Sequence, residues 1–180
     1  MSENVDRRED RRVRKTRRAI VRAFSKLALS RPYRSIRVAD IVAEADVGRS
    51  TFYEHYSGRD AVHLDALRGP ISILAVTVDR DPDLQKLTYL IGHYWDYRAL
   101  ARNTFAGPQR RKVLSLLTEL ISSRLPADLR HRELLARQLA EGQAGLIRSW
   151  VSGEISASAE EIARHFCATA HAMLAAAERD

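Results

Sequence analysis

The sequence holds a single cysteine, Cys167, so no internal disulfide can form. It lies inside an apolar-periodic stretch with no base facing it, because His165, two residues away, points elsewhere on a helix. A small buried side chain is the expected role. No stretch approaches the roughly 20 consecutive apolar residues of a membrane span. The opening MSENVDRREDRRVRK has none of the apolar content of a signal peptide, so a cytoplasmic location is expected. The chain has no phosphate-binding glycine loop, no nucleophile elbow and no His-x-x-x-His pair among its six histidines. These absences argue against an enzyme and against a resident metal or cofactor. Internal repeats, low-complexity tracts and strand-like alternation are missing too.

What remains is 180 residues with 45% hydrophobic and 29% charged content, ordinary for a globular chain that buries a real core. The net charge of +7 is unevenly placed: residues 1–60 carry 15 Lys and Arg against 9 Asp and Glu, and the remaining residues 15 against 14. Positive charge concentrated at one end suits a polyanion, with nucleic acid ahead of an anionic membrane surface.

Apolar periodicity lays out an all-α chain. Val13, Ile20, Phe24 and Leu27 recur at helical steps among arginines from Arg11 to Leu29, and Ser30-Arg31-Pro32 ends that helix. Val38–Ala45 makes a short second helix with Ile41 and Val42 inward. The turn Asp46-Val47-Gly48 follows, and a third helix runs from Arg49 to Tyr56. Arg59 opens a longer helix that Gly69-Pro70 is expected to kink or interrupt. Further helices are expected from Asp81-Pro82 through Trp95, from Gly107-Pro108 to Leu125, from about Asp128 to Ser152, and from Ser158 to Arg179. Ser158 and Glu161 form a capping box at the last of these.

Two short helices joined by a tight turn, the second rich in hydrogen-bonding side chains, have the form of a helix-turn-helix. Arg49, Ser50, Thr51, Tyr53 and His55 are equipped to contact base edges or phosphates. The run Val38-Ala39-Asp40-Ile41-Val42, followed by Asp46-Val47-Gly48-Arg49-Ser50-Thr51-Phe52-Tyr53-Glu54-His55-Tyr56, resembles the DNA-binding signature of the tetracycline-repressor (TetR) family. The resemblance covers roughly residues 12–65. More loosely, Gly145–Trp150 and Ser158–Ile162 resemble that family's last two helices.

The resemblance implies an N-terminal three-helix DNA-binding domain and a helical C-terminal domain for ligand binding and dimerisation. Its divisions are a flexible basic arm at 1–10, the helix-turn-helix domain at 11–60 and the C-terminal domain at 61–180. By matching position, Arg49, Ser50 and Tyr53 would face the groove, and Thr51, His55 and Arg59 would meet phosphates. Phe52 would be core, while Gly48 and Tyr56 fall within the same contact set. Arg37 stands where the family often has a threonine cap, so its cation is expected to reach a phosphate. Asp46 replaces the usual turn glycine, a position where Asp tolerates a left-handed backbone.

The family also implies a homodimer on double-stranded operator DNA; Leu139, Leu146, Trp150, Phe166 and Met173 are expected to supply apolar area at its interface, with the monomer's own core as the competing reading of these faces. Ala140, Gly142, Ala144 and Gly145 would allow close backbone approach there. A small effector, if there is one, is expected near the aromatic cluster His93, Tyr94, Trp95 and Tyr97; plain core is the competing reading of that stripe. The functional expectation is a sequence-specific regulator, a repressor released by its effector. An activator of the same family is one alternative. A basic helical module for membrane surfaces or protein partners is another, although such a module has no need of the hydrogen-bonding third helix.

Overall fold

The computed structural model describes residues 2–179, with side chains from residue 11 onward. Its described residues are helical, with no strand among them. The chain divides into two compact units, Met1–Ala66 and Leu67–Asp180.

The first unit is built on α1 (Ser2–Ser30), which starts well before the expected Arg11. The arm expected at 1–10 falls on residues whose side chains lie outside those described. Ile20, Ala23, Phe24 and Ala28 line the buried face of α1 at steps of three and four. The Ser30 hydroxyl donates to the Leu27 carbonyl at 3.0 Å, and Pro32 follows the helix end. After a single 3₁₀ turn at Tyr33–Ser35 come α2 (Val38–Ala45), α3 (Arg49–His55) and the start of α4 (Arg59–Leu74). Ile36, Ile41, Phe52 and Val62, each 1% exposed or less, close the core against α1.

The turn between α2 and α3 is set by Asp46, whose φ of 52° and ψ of 52° are left-handed. The Asp46 N–H donates to the Ala43 carbonyl at 3.4 Å and the Val47 N–H to the Val42 carbonyl at 3.3 Å. Those paired bonds satisfy the carbonyls that α2 leaves open and reverse the chain toward α3.

In the second unit a 3₁₀ turn (Ala75–Val78) precedes α5 (Leu84–Asp96), α6 (Arg98–Ala106), α7 (Arg110–Ser122), α8 (Arg132–Val151) and α9 (Ala159–Ala177). α8 packs against α6, α7 and α9, and α9 against α5. Leu87, Ile91, Leu117, Ile121, Ala136, Ile147 and Ala163 are buried between these helices. The Ser158–Glu161 capping box forms as the sequence predicts, with the Ser158 N–H donating to Glu161 Oε2 at 2.7 Å and the Glu161 N–H to Ser158 Oγ at 3.2 Å.

Further differences from expectation lie at the helix breaks. α4 runs through Gly69-Pro70 without interruption. A break at Tyr97 (φ −109°, ψ 41°) separates α5 from α6 where neither Gly nor Pro marks it. α8 begins at Arg132, after a left-handed His131 (φ 56°), rather than near Asp128.

Among the described residues one helical run, Arg59–Val78, is long and apolar enough to span a membrane by length and composition, with a mean hydropathy of 1.3. Val62 and His63 are buried in the first unit, and Ile71, Leu74, Ala75 and Val78 in the second. Packing within the units therefore accounts for part of the apolar content of this run, of whose most apolar window 39% is buried.

Candidate nucleic-acid interface

α3 presents two contrasting faces. Phe52 is fully buried, while Tyr53, next in sequence, is 48% exposed. Arg49, Ser50 and Glu54 are exposed, and Thr51 and His55 are half-exposed. The Tyr53 ring meets Phe52 edge-on at 5.4 Å between centroids, and the Arg49 guanidinium lies over the Tyr53 ring, 5.7 Å from its centre. Arg49 and Tyr53, four residues apart, thus form one exposed donor-rich surface held by a buried ring. Gly48 caps α3 without a side chain, so the first N–H groups of the helix stay open to an external acceptor. A Cβ at Gly48 would come no closer than 3.6 Å to any neighbour, so space does not demand glycine here.

Arg37 precedes α2 with its side chain exposed. A guanidinium has no acceptor with which to cap a helix. The cap comes from Asp40 instead, whose Oδ2 accepts the Arg37 N–H at 2.7 Å and pairs with Arg31 at 3.1 Å. That backbone N–H, with Arg31 adding to it, holds the Asp40 carboxyl below the usual carboxylate range. Arg37 is left to project outward.

Two residues expected at the DNA make contacts within the unit, Tyr56 from a buried position and Arg59 from a part-exposed one. Tyr56 is 5% exposed and donates its hydroxyl to Asp65 Oδ2 at 2.5 Å. Asp65 also accepts from Arg17 at 3.0 Å, and the Arg17 guanidinium lies 5.1 Å from the Tyr56 ring centre. Burial first, and the bond to Asp65 second, push the Tyr56 phenol up to about 12. Arg59 folds back over the Tyr33 ring at 4.3 Å, and its Nη1 donates to the Ile36 carbonyl at 3.0 Å and the Tyr33 carbonyl at 3.3 Å. It satisfies carbonyls of the loop before α2, so its side chain is occupied without any phosphate.

Tyr33 completes a parallel arrangement by donating to Asp60 Oδ1 at 2.5 Å; burial, with that bond adding, raises its phenol to about 12. Beneath it lies His63, 2% exposed, its ring tilted against those of Tyr33 at 4.8 Å and Phe24 at 5.4 Å between centres. Neither of its ring nitrogens has a hydrogen-bond partner, and burial pushes the imidazole down to about 4. Sequence reasoning missed Arg17, Tyr33, Asp60, His63 and Asp65 in these roles. No periodic signal links residues 27 or 48 positions apart, as Tyr33–Asp60 and Arg17–Asp65 are.

The expected effector cluster in the second unit does not converge on one space. Tyr94 alone is buried, set edge-on to Phe105 at 5.3 Å, with a hydroxyl that has no partner; burial raises its phenol further still. Trp95 and Tyr97 are 41% and 38% exposed; Trp95 packs at a tilt against Trp150 at 5.0 Å and Tyr97 against His93 at 4.5 Å. The expected dimer set divides as well. Leu139, Trp150 and Phe166 are 3–4% exposed within the unit's own core, and the Trp150 indole donates to the Ala157 carbonyl at 2.8 Å. Leu146 and Met173 are half-exposed. Apolar content at helical spacing is the same for a core residue as for an interface residue, which is why the five looked alike in sequence.

No family model matches the chain. An uncharacterized HTH-type transcriptional regulator, YxbF, of Bacillus subtilis (strain 168) is 40% identical over 52 residues, which cover 28% of this chain and 14% of that protein. Three solved structures are similar along nearly the whole chain. A TetR transcriptional regulator from Streptococcus agalactiae 2603V is 22% identical with a TM-score of 0.54, covering 90% of this chain and 97% of its own. The TetR family repressor AlkX from Dietzia sp. strain DQ12-45-1b, implicated in biodegradation of n-alkanes, is 17% identical with a TM-score of 0.57 and coverages of 89% and 96%. The dihydroxyacetone kinase operon activator DhaS is 18% identical with a TM-score of 0.53 and coverages of 89% and 97%. At these identities the likeness establishes the fold. The chain has the all-helical architecture of TetR-type regulators, a helix-turn-helix unit followed by a helical one.

Proposed function

We propose that the chain is a sequence-specific, DNA-binding transcription regulator that inserts α3 into the major groove. One observation carries this reading: Arg49, Ser50 and Tyr53 stand exposed on a short helix anchored by the fully buried Phe52 behind a tight left-handed turn. Arginine is suited to guanine O6 and N7, and the serine and tyrosine hydroxyls to base edges or phosphate. Thr51 and His55, half-exposed beside them, and the projecting Arg37 suit backbone phosphates. Binding here needs orientation and charge, and no covalent chemistry.

One such helix reads only a few base pairs, so useful specificity calls for a two-fold dimer presenting two copies about 34 to 36 Å apart. The outer faces of α8 and α9 fit that role, with Leu146 and Met173 half-exposed and Gly142 and Ala172 exposed nearby in sequence. Repression with release by a small effector suits this architecture. The similarity to both a repressor and an activator keeps activation as the second reading, since DNA contacts are the same in either. An effector would find unmet hydrogen-bonding capacity in the second unit's core at the Tyr94 hydroxyl and Gln143 Oε1.

A fluorescence-anisotropy titration against DNA from upstream of the chain's own gene and against scrambled DNA, at two salt concentrations, tests the reading. Tight, salt-sensitive binding that prefers a particular sequence is expected. Failure to enrich any sequence from a random duplex pool would overturn it.

A further inference from the structure

A hollow of about 280 Å³ opens at the corner between α2 and α3, lined by Ala39, Val42 and Ala43 of α2, Asp46 and Val47 of the turn, and Arg49 of α3. The buried residue of α2 is Ile41, so the core accounts for one side of that helix only. Val42, expected to point inward with Ile41, is half-exposed and lines the hollow, as does the half-exposed Val47; Ala39 and Ala43 are exposed. Steps of three and four place Ala39, Val42 and Ala43 on one face of α2. Small apolar side chains thus face outward beside the donors of α3. The Arg49 guanidinium ties the hollow to that surface, lying over the Tyr53 ring at 5.7 Å from its centre.

The chemistry of the wall selects its occupant. Among the described residues Arg49 is the one cation in it, and the Asp46 carboxylate stands against a phosphate. The backbone offers no anion nest either, because the Asp46 and Val47 N–H groups are taken up by the Ala43 and Val42 carbonyls at 3.4 and 3.3 Å. A free small ligand would be held poorly, since ligand sites enclose most of their ligand and this hollow is walled by exposed side chains. The occupant that fits is apolar at its tip and carried by a larger body on the side of α3. In the major groove thymine alone among the bases presents an apolar group, its C5-methyl, with the O4 acceptor beside it. We propose that the α2–α3 corner receives the C5-methyl of a thymine in the half-site that α3 enters, with Val42, Ala43 and Val47 packing on the methyl and Arg49 contacting the adjoining base pair. The proposal rests on the regulator reading and adds to it a base, a chemical group and a part for α2 in reading the sequence.

The test uses the full chain and the duplex it selects from a random pool. Each thymine is replaced in turn by deoxyuridine, which lacks only the C5-methyl, and affinity is read by fluorescence anisotropy. Burial of one methyl group changes affinity by about fourfold. Deoxyuridine at one position of each half-site should therefore weaken binding about fourfold, and 5-methylcytosine there should bind better than cytosine by about the same factor. Ala43→Leu fills the hollow from an exposed helical position with a good helix former, and thermal melting checks its fold. It should abolish the difference between thymine and deoxyuridine at that position and leave the salt dependence of binding unchanged. Val47→Thr, which keeps the shape and replaces a methyl by a hydroxyl, should reduce the same difference.

A selected duplex indifferent to deoxyuridine at every thymine overturns the proposal and leaves the regulator reading intact. So does a methyl effect that Tyr53→Ala removes and Ala43→Leu does not, which would assign the methyl to the outer face of α3. An Ala43→Leu protein that binds every duplex as the wild type does overturns it too, and gives the hollow to a protein partner. Failure to select any sequence from the pool defeats the regulator reading and the proposal with it.

Discussion

Tyr56 and Asp65 join the end of α3 to the second turn of α4 through a 2.5 Å hydrogen bond, and Arg17 of α1 completes the contact at 3.0 Å. Three helices of the first unit thus meet at one carboxylate. The position of α3, and of the side chains it exposes, depends on that junction as well as on the buried Phe52.

Removing the hydroxyl in Tyr56→Phe keeps the ring packed on Phe52, from which it lies 6.0 Å between centroids, and leaves Asp65 paired with Arg17. The cost in urea denaturation should be about 1 kcal/mol. Asp65→Ala strands both the Tyr56 hydroxyl and the Arg17 guanidinium and should cost about 2 kcal/mol, moderated by the partial exposure of the site. DNA affinity should fall in the same order. A Tyr56→Phe variant as unstable as Asp65→Ala would show that the carboxylate does not organise the junction.

Among the described residues the Tyr53 hydroxyl has no hydrogen-bond partner, and the residue is 48% exposed, so Tyr53→Ala should change stability by about 0.5 kcal/mol or less. If it reads bases, the same change should lower affinity for a selected site by about 1 to 3 kcal/mol with little effect on scrambled DNA. Anisotropy titrations on the two duplexes decide the point, and equal losses on both would reject base reading.

His63 gives the first unit an acid sensitivity of its own. Burial lowers its imidazole to about 4 from 6.5; Asp60 favours the charged form and Arg59 opposes it. Between those two values the unfolded chain binds a proton that the folded one refuses, so stability falls as pH falls. The contribution is absent above about pH 6.5 and reaches about 3 kcal/mol near pH 4. His63→Phe should flatten the pH dependence of denaturation over that window while leaving neutral-pH stability little changed. A wild-type profile that is flat from pH 6.5 to 4 would contradict the buried, partnerless imidazole.

The same residues show how far sequence reading reaches. Asp46 in the turn, Gly48 before α3 and Ser158 with Glu161 at α9 are legible because capping and turn chemistry act over three or four residues. Phe52 against Tyr53 is legible from helical periodicity. Asp65, Asp60 and His63 are not, because their partners are brought to them only by folding. Tyr56 and Arg59 had the right chemistry for DNA and the right neighbours in sequence; their side chains were taken up by Asp65 and by the loop carbonyls before α2. The break at Tyr97 has no Gly or Pro to announce it.

Leu139 and Leu146 offer the cleanest test of core against the proposed interface, because they lie seven residues apart on α8 yet differ in burial. Leu139 is 4% exposed, so Leu139→Ala should lower stability by about 2 to 5 kcal/mol at every protein concentration. Leu146 is half-exposed, and a charge there can remain in water when the chain is alone, so Leu146→Glu should leave the isolated fold nearly intact. On the proposed dimer face the same glutamate would be buried against a second copy without a partner, at a cost large enough to separate the subunits. Analytical ultracentrifugation should then find a folded monomer whose affinity for a two-half-site duplex has collapsed toward that for a single half-site. A Leu146→Glu protein that sediments as the wild type does would move the dimer contact off this face of α8.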